Sequence, residues 1–89
     1  MLIKLIEIHV QGHGTTTREL YINTSNIVSI TQEVRPRALE EARDLGFSTL
    51  TQFSTLVINE GYSTRVITVA HSPEEVHKKI RTSKTLLKG

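Results

Sequence analysis

Residues 52–81, QFSTLVINEGYSTRVITVAHSPEEVHKKIR, decide the fold. They read as a strand, a tight turn, a second strand and a capped helix. Thr55-Leu56-Val57-Ile58 is a short apolar run rich in β-branched residues. Asn59-Glu60-Gly61 interrupts it, and residues 62–70 (YSTRVITVA) run back with Val, Ile and Thr. The two runs form a hairpin, with Gly61 supplying the positive-φ position of the turn. Ser72-Pro73-Glu74-Glu75 then opens a helix. Ser72 accepts from the Glu75 N–H, and the Glu75 carboxylate reaches back to the Ser72 N–H. Pro73 takes the first helical position, where a missing N–H costs nothing. Val76 and Ile80 are four apart and fall back onto the hairpin.

Upstream of this block the chain is strand-rich. Residues 2–10 (LIKLIEIHV) form a strand. Ile6, Ile8 and Val10 share one face, with Lys4 at its edge, and Ile3 and Leu5 make the start of the other face apolar. A strand apolar on both faces is covered at that end by a helix or another subunit. Residues 11–17 (QGHGTTT) read as a loop, because two glycines two apart mark tight backbone. Residues 18–23 (RELYIN) give a second strand, Thr24-Ser25-Asn26 a turn, and residues 26–31 (NIVSIT) a third strand.

Residues 33–51 break the β pattern as a helical insertion. Val34-Arg35-Pro36 is extended, since a residue before proline avoids the helical region. Residues 37–45 (RALEEARDL) are helix formers, with Leu39, Ala42 and Leu45 on one face. Gly46 stops the helix and Phe47 folds back. About nine residues do not hold a helix alone, so this one must dock. Residues 49–53 are candidates to extend the fourth strand. Thr82 to Gly89 either continue the final helix, since Leu87 follows Ile80 by seven, or fray over residues 83–89. The expected architecture is a single α+β domain over residues 1–89. It is a small five-stranded antiparallel β-sheet or open barrel, with one inserted short helix and a C-terminal helix.

Composition narrows function by exclusion. The 89 residues hold no cysteine, so disulfides and thiolate metal sites are excluded. Aromatics make up only 4%, so Ile, Leu and Val must build the core. A small core of that kind gains stability by association, which points to a homo-oligomer. The net charge is +2, with +3 from residue 73 onward and −1 over the rest. No apolar run reaches membrane-spanning length. Met1-Leu2-Ile3-Lys4 opens directly as a strand without signal-peptide regions, so the expected location is the cytoplasm of a bacterial host cell, with bacterial and phage origin both open.

Several segments, in order, resemble a known family. Ile3-Lys4-Leu5 opens the chain, and Tyr21-Ile22-Asn23 leads through a turn to Asn26-Ile27-Val28-Ser29-Ile30. The hairpin then leads to Ser72-Pro73-Glu74-Glu75-Val76 and Lys79-Ile80. This is similar to the FlbD-like family of small bacterial proteins associated with flagellar operons. The likeness lies in strand, turn and cap, and covers most of the chain outside residues 33–51. The chain departs from the family in its glycine loop, its helical insertion and Glu60. The resemblance implies a fold and carries over no catalytic motif.

The most site-like loop is Gly12-His13-Gly14-Thr15, with Arg18 close behind. Glycine N–H groups, hydroxyls and a guanidinium can wrap a phosphate, although no phosphate-loop glycine spacing with a following helix is present. Arg35, Arg37 and Arg65 could join Arg18 around an anion if oligomer symmetry gathered them, because the planar guanidinium pairs its hydrogen bonds with phosphate. The alternative reading is a long hairpin loop and solvated arginines. His9, His13, His71 and His77 show no helical i, i+4 pair, so no metal site and no cofactor is expected. The basic end of the last helix either meets nucleic-acid phosphate or complements the helix dipole. No nucleophile elbow, ordered triad or spaced carboxylate pair supports an enzyme.

These observations favour a small non-enzymatic binding or regulatory protein that acts as a homo-oligomer through protein–protein contacts. In that reading Ile3, Leu5 and the insertion helix are buried between subunits. The alternative is an oligomer that binds or sequesters a nucleotide-like anionic signal, as some phage anti-defence proteins do. A third reading is nucleic-acid binding through the C-terminal helix.

Overall fold

The computed structural model describes residues 1–11 and 14–88. Its elements run β1 (Leu2–Gln11), β2 (Gly14–Asn23), a 3-10 turn (Thr24–Asn26), β3 (Ile27–Gln32), α1 (Pro36–Asp44), β4 (Ser54–Asn59), β5 (Thr64–Val69) and α2 (Pro73–Lys88). The five strands form one antiparallel sheet in the order β2-β1-β5-β4-β3. The α+β architecture expected from the sequence is therefore observed, with α2 continuing to Lys88.

The sheet is curled but not closed. β2 and β3 are its two outer strands, yet only Thr24–Asn26 joins them. Four steps of chain reach at most about 14 Å. Five flat strands would place the outer two about 19 Å apart. The short connection thus forces the edges toward each other. The Thr24 N–H donates to the Met1 carbonyl at 2.9 Å and ties this corner to the start of β1.

The curl wraps around one face. Ile3 and Leu5 of β1, Ile22 of β2, Leu56 and Ile58 of β4, and Ile67 and Val69 of β5 form the main core there, with Val76 of α2. Ile30 of β3 and Ile80 of α2 pack against its border. Leu5, Leu56, Val69 and Val76 have no exposed surface. Ile3 and Leu5 are therefore covered by the chain's own final helix, not left for another subunit. Of the two covers open to that strand, the helix is the one used.

The hairpin and the cap form as their residues require. Gly61 takes φ 97°, and its N–H donates to the Asn59 side-chain carbonyl at 2.9 Å. The Glu75 N–H donates to Ser72 Oγ at 3.1 Å, and the Ser72 N–H donates to Glu75 Oε1 at 3.3 Å.

The outer face carries a smaller core. Ile8, Ala42 and Phe53 are buried there, with Leu39, Leu45, Phe47 and Ala70 packed around them. Phe47 meets Phe53 edge to face with ring centres 5.4 Å apart, so the chain does fold back after Gly46, whose φ is 94°. The Glu33 N–H donates to the Phe53 carbonyl at 2.8 Å and brings the two ends of the insertion together.

Three local expectations are corrected. Thr15, Thr16 and Thr17 are not loop but strand, paired with Val10, His9 and Ile8. β-branched threonine suits a ladder, and the long β1 offers partners for it. Gly12 and His13 lie outside the described residues. Residues 49–53 do not extend β4, because Ser48 draws the chain into a turn: its Oγ accepts the Leu50 N–H and its carbonyl the Thr51 N–H. β5 begins at Thr64, not at Tyr62, which is fully exposed in the turn.

Candidate functional site

The four candidate arginines are each engaged by the chain's own carboxylates. Arg18 Nε donates to Glu7 Oε1 at 2.6 Å, and Arg35 Nε donates to Glu33 Oε1 at 2.7 Å. Arg37 lies 3.5 Å from Glu41, one helical turn on, and Arg65 lies 2.9 Å from Glu60. Glu7 and Glu33 are buried, 5% and 4% exposed. A buried carboxylate is costly without a partner, so Arg18 and Arg35 have structural work within the fold. The Thr55 hydroxyl also donates to Glu33 Oε2. Burial pushes the Glu33 carboxyl up, but Arg35 and Thr55 outweigh it and hold it below its ordinary 4.5.

These residues do not converge on one site. Strand alternation fixes their faces. Arg18 is paired with Glu7, and Arg65 with Ile58, both on the α2 face. Glu33 and Thr55 bring Arg35 to the opposite face. Thr15, paired with Val10, is also on that face. Of the four arginines, Arg35 and Arg37 are brought together. They line a groove of about 390 Å³ between α1 and the sheet, with Ile8, Val10, Thr68 and Glu41.

That groove borders an uncovered apolar patch. Val57 is paired with Val66, and Ile8 with Thr68. Val66 stands beside Val57, and Val10, two residues past the last β1–β5 pair, is on the same face of the sheet. Val10 and Val66 are both 60% exposed. α1 leaves both exposed.

A second polar cluster joins α2 to β1. The Ile6 N–H donates to His71 Nε2 at 3.1 Å, and the Ala70 N–H donates to the Ile6 carbonyl at 2.8 Å. His71 therefore accepts at Nε2 and carries its neutral-ring proton on Nδ1, 3.6 Å from Glu75 Oε2. Ser54 Oγ donates to the His71 carbonyl at 2.6 Å. Burial pushes His71 below its ordinary 6.5, Lys79 adds to that, and Glu75 opposes it. Burial pushes Glu75 up, yet its bonds to Ser72 and His71 hold it below 4.5.

Sequence reasoning missed this cluster and the two buried carboxylates. Glu7 sits inside an apolar strand and Glu33 beside a strand end, a pattern that hints at paired burial; Arg18 lies 11 residues from Glu7 and Thr55 22 from Glu33, while Arg35 is only two residues from Glu33. His71 gave one local signal, its place directly before the cap. Among the described residues no cluster of three or more His, Asp or Glu is arranged to hold a metal. Among the described residues no helix is long and apolar enough to cross a membrane. No family model matches the chain, and neither a curated protein nor a solved structure shows significant similarity to it.

Proposed function

We propose that the protein is a non-enzymatic binding module that self-associates through the α1 face of its sheet. The observation that carries this reading is the pair of exposed valines Val10 and Val66, on one face with Val57 and beside the groove of Arg35 and Arg37. An exposed apolar patch rimmed by charge is the anatomy of a protein interface. The rim carries both signs, with Arg37 and Glu41 on the same helix. Such a rim is complementary to itself across a two-fold axis, where an arginine of one copy meets a glutamate of the other. A second copy is therefore the occupant that this surface fits.

The expectation that Ile3 and Leu5 form the subunit contact is replaced by these valines, since α2 covers both. Light scattering on the intact protein tests the reading, with Val66→Lys as the variant. A charge among these valines returns the variant to monomer mass without unfolding it.

A second reading has one observation of its own. Arg35 and Arg37 share a groove, so a nucleotide-like anion would bind there and compete with Glu33 and Glu41 for the guanidiniums. Thermal stabilisation by a panel of nucleotides, lost in Arg37→Ala, is the result that would promote it.

A further inference from the structure

The inner edge of β1 is unpaired over its first half. β1 and β5 pair only at Glu7–Val69 and Ile8–Thr68. β5 ends at Val69, and residues 70–72 leave the sheet to enter α2. The backbone of Ile6 points away from β2, since its carbonyl takes the Ala70 N–H and its N–H meets His71. β1 and β2 keep an unbroken register from Leu2–Asn23 to Gln11–Gly14. Alternation then directs the N–H and C=O of Lys4 and Leu2 the same way, toward α2. Across that gap lies a groove of about 520 Å³, lined by Leu2, Ile3 and Lys4 on one side and Glu75, Lys78 and Lys79 on the other.

The charge of this groove is one-sided. Lys4 is held by Glu19 at 3.0 Å. Glu75, although its side chain is 60% exposed, is engaged by the Ser72 N–H and lies 3.6 Å from His71. Lys78 and Lys79 thus give the slot a positive wall opposite a row of strand hydrogen-bonding groups. An open strand edge facing a helix across a groove is the geometry for strand addition.

The geometry points to a peptide-binding slot in which an extended acidic segment of a partner protein adds to the inner edge of β1, with its carboxylates at Lys78 and Lys79. From Leu2 to Ile6 the edge runs about 13 Å, enough for about four residues of an added strand. The edge supplies main-chain hydrogen bonds, and the lysines select charge. This inference rests on the binding-module reading but uses a different surface from the exposed valines.

The test is fluorescence anisotropy with a labelled peptide of about seven residues that alternates glutamate and valine, long enough to span the edge. A peptide alternating lysine and valine, and an acidic peptide N-methylated at alternate residues, are the controls. The acidic peptide is expected to bind. The double variant Lys78→Glu, Lys79→Glu should weaken it at least about tenfold. The lysine peptide and the N-methylated peptide should not bind. Equal binding of the acidic and lysine peptides, unchanged affinity after N-methylation, or indifference to the charge reversal would each overturn the slot. A fall in solution mass caused by the charge reversal would also overturn it, in favour of a second copy as occupant. Val66→Lys separates the two proposals, because it should change mass and leave peptide affinity unaltered. A monomer that binds the peptide sinks self-association alone, and an oligomer that ignores it sinks the slot alone.

Discussion

The two helices of this protein are held in different ways. α2 is specified locally. Pro73 begins it, Ser72 and Glu75 cap it with two reciprocal hydrogen bonds, and Val76 anchors it in the main core without exposed surface. α1 has Pro36 in its first turn but no side-chain cap at Arg35, and Ala42 is its buried residue. It holds its place through Phe53, Phe47 and the Glu33–Arg35 pair, none of which belongs to its interior. A helix with its own start signal can be placed on a strand pair from sequence. A helix that depends on distant partners covers what those partners leave it, and here it leaves two valines exposed.

The comparison is tested most severely at Phe53. Phe53→Ala should cost about 3–5 kcal/mol in urea unfolding, as expected for a fully buried aromatic. In amide exchange it should release α1 while α2 keeps its protection. Equal loss of protection in both helices would show that the two are one cooperative unit and break the contrast.

Ser72→Ala should cost about 1 kcal/mol, the usual value of an N-cap. Its effect should appear in the first turn of α2. No loss would mean that packing of Val76 alone positions the helix.

Acid titration separates the two joints. His71 is held below its ordinary 6.5, so between that value and its folded value the unfolded chain binds more protons. Stability from His71 is present above about pH 6.5 and falls as pH drops through the window beneath it. Glu33 is also held low, so its contribution is present above its ordinary 4.5 and is lost as pH falls further toward its folded value. Thermal melts across pH should therefore show a mild loss tied to His71 at the α2 joint, then a second loss below 4.5 to which Glu33 at the α1 joint and Glu75 at the α2 joint both contribute. His71→Asn should remove the first, and Glu33→Gln should reduce the second to the part that Glu75 carries. Coincident losses in both variants would contradict the assignment.

The smallest effect on stability belongs to Val66→Lys. At an exposed position the change in unfolding free energy should stay within about 0.5 kcal/mol. A larger loss would mean that Val66 packs within the fold and is not a free surface.

How far the sequence could be read follows the same division. Residues 54–80 were legible because hairpin, turn glycine and cap are signals within a few residues of one another. The sheet as a five-stranded antiparallel unit followed from those strands. Thr15–Thr17 were misread because a glycine pair outweighed β-branched threonines whose partners lie across the hairpin. Ile3 and Leu5 read as a subunit contact because nothing local shows which of the two covers, a helix or a second copy, lies over them. Arg18 looks available because Glu7 meets it only through the fold, whereas the carboxylates that engage Arg35, Arg37 and Arg65 lie within five residues of them.

The most direct test of the account is the solution mass of the intact protein by light scattering, beside Val66→Lys. Self-association through this face predicts a multiple of the 10.0 kDa chain for the native protein and 10.0 kDa for the folded variant. A native mass of 10.0 kDa, or an oligomer that Val66→Lys leaves intact, would contradict it.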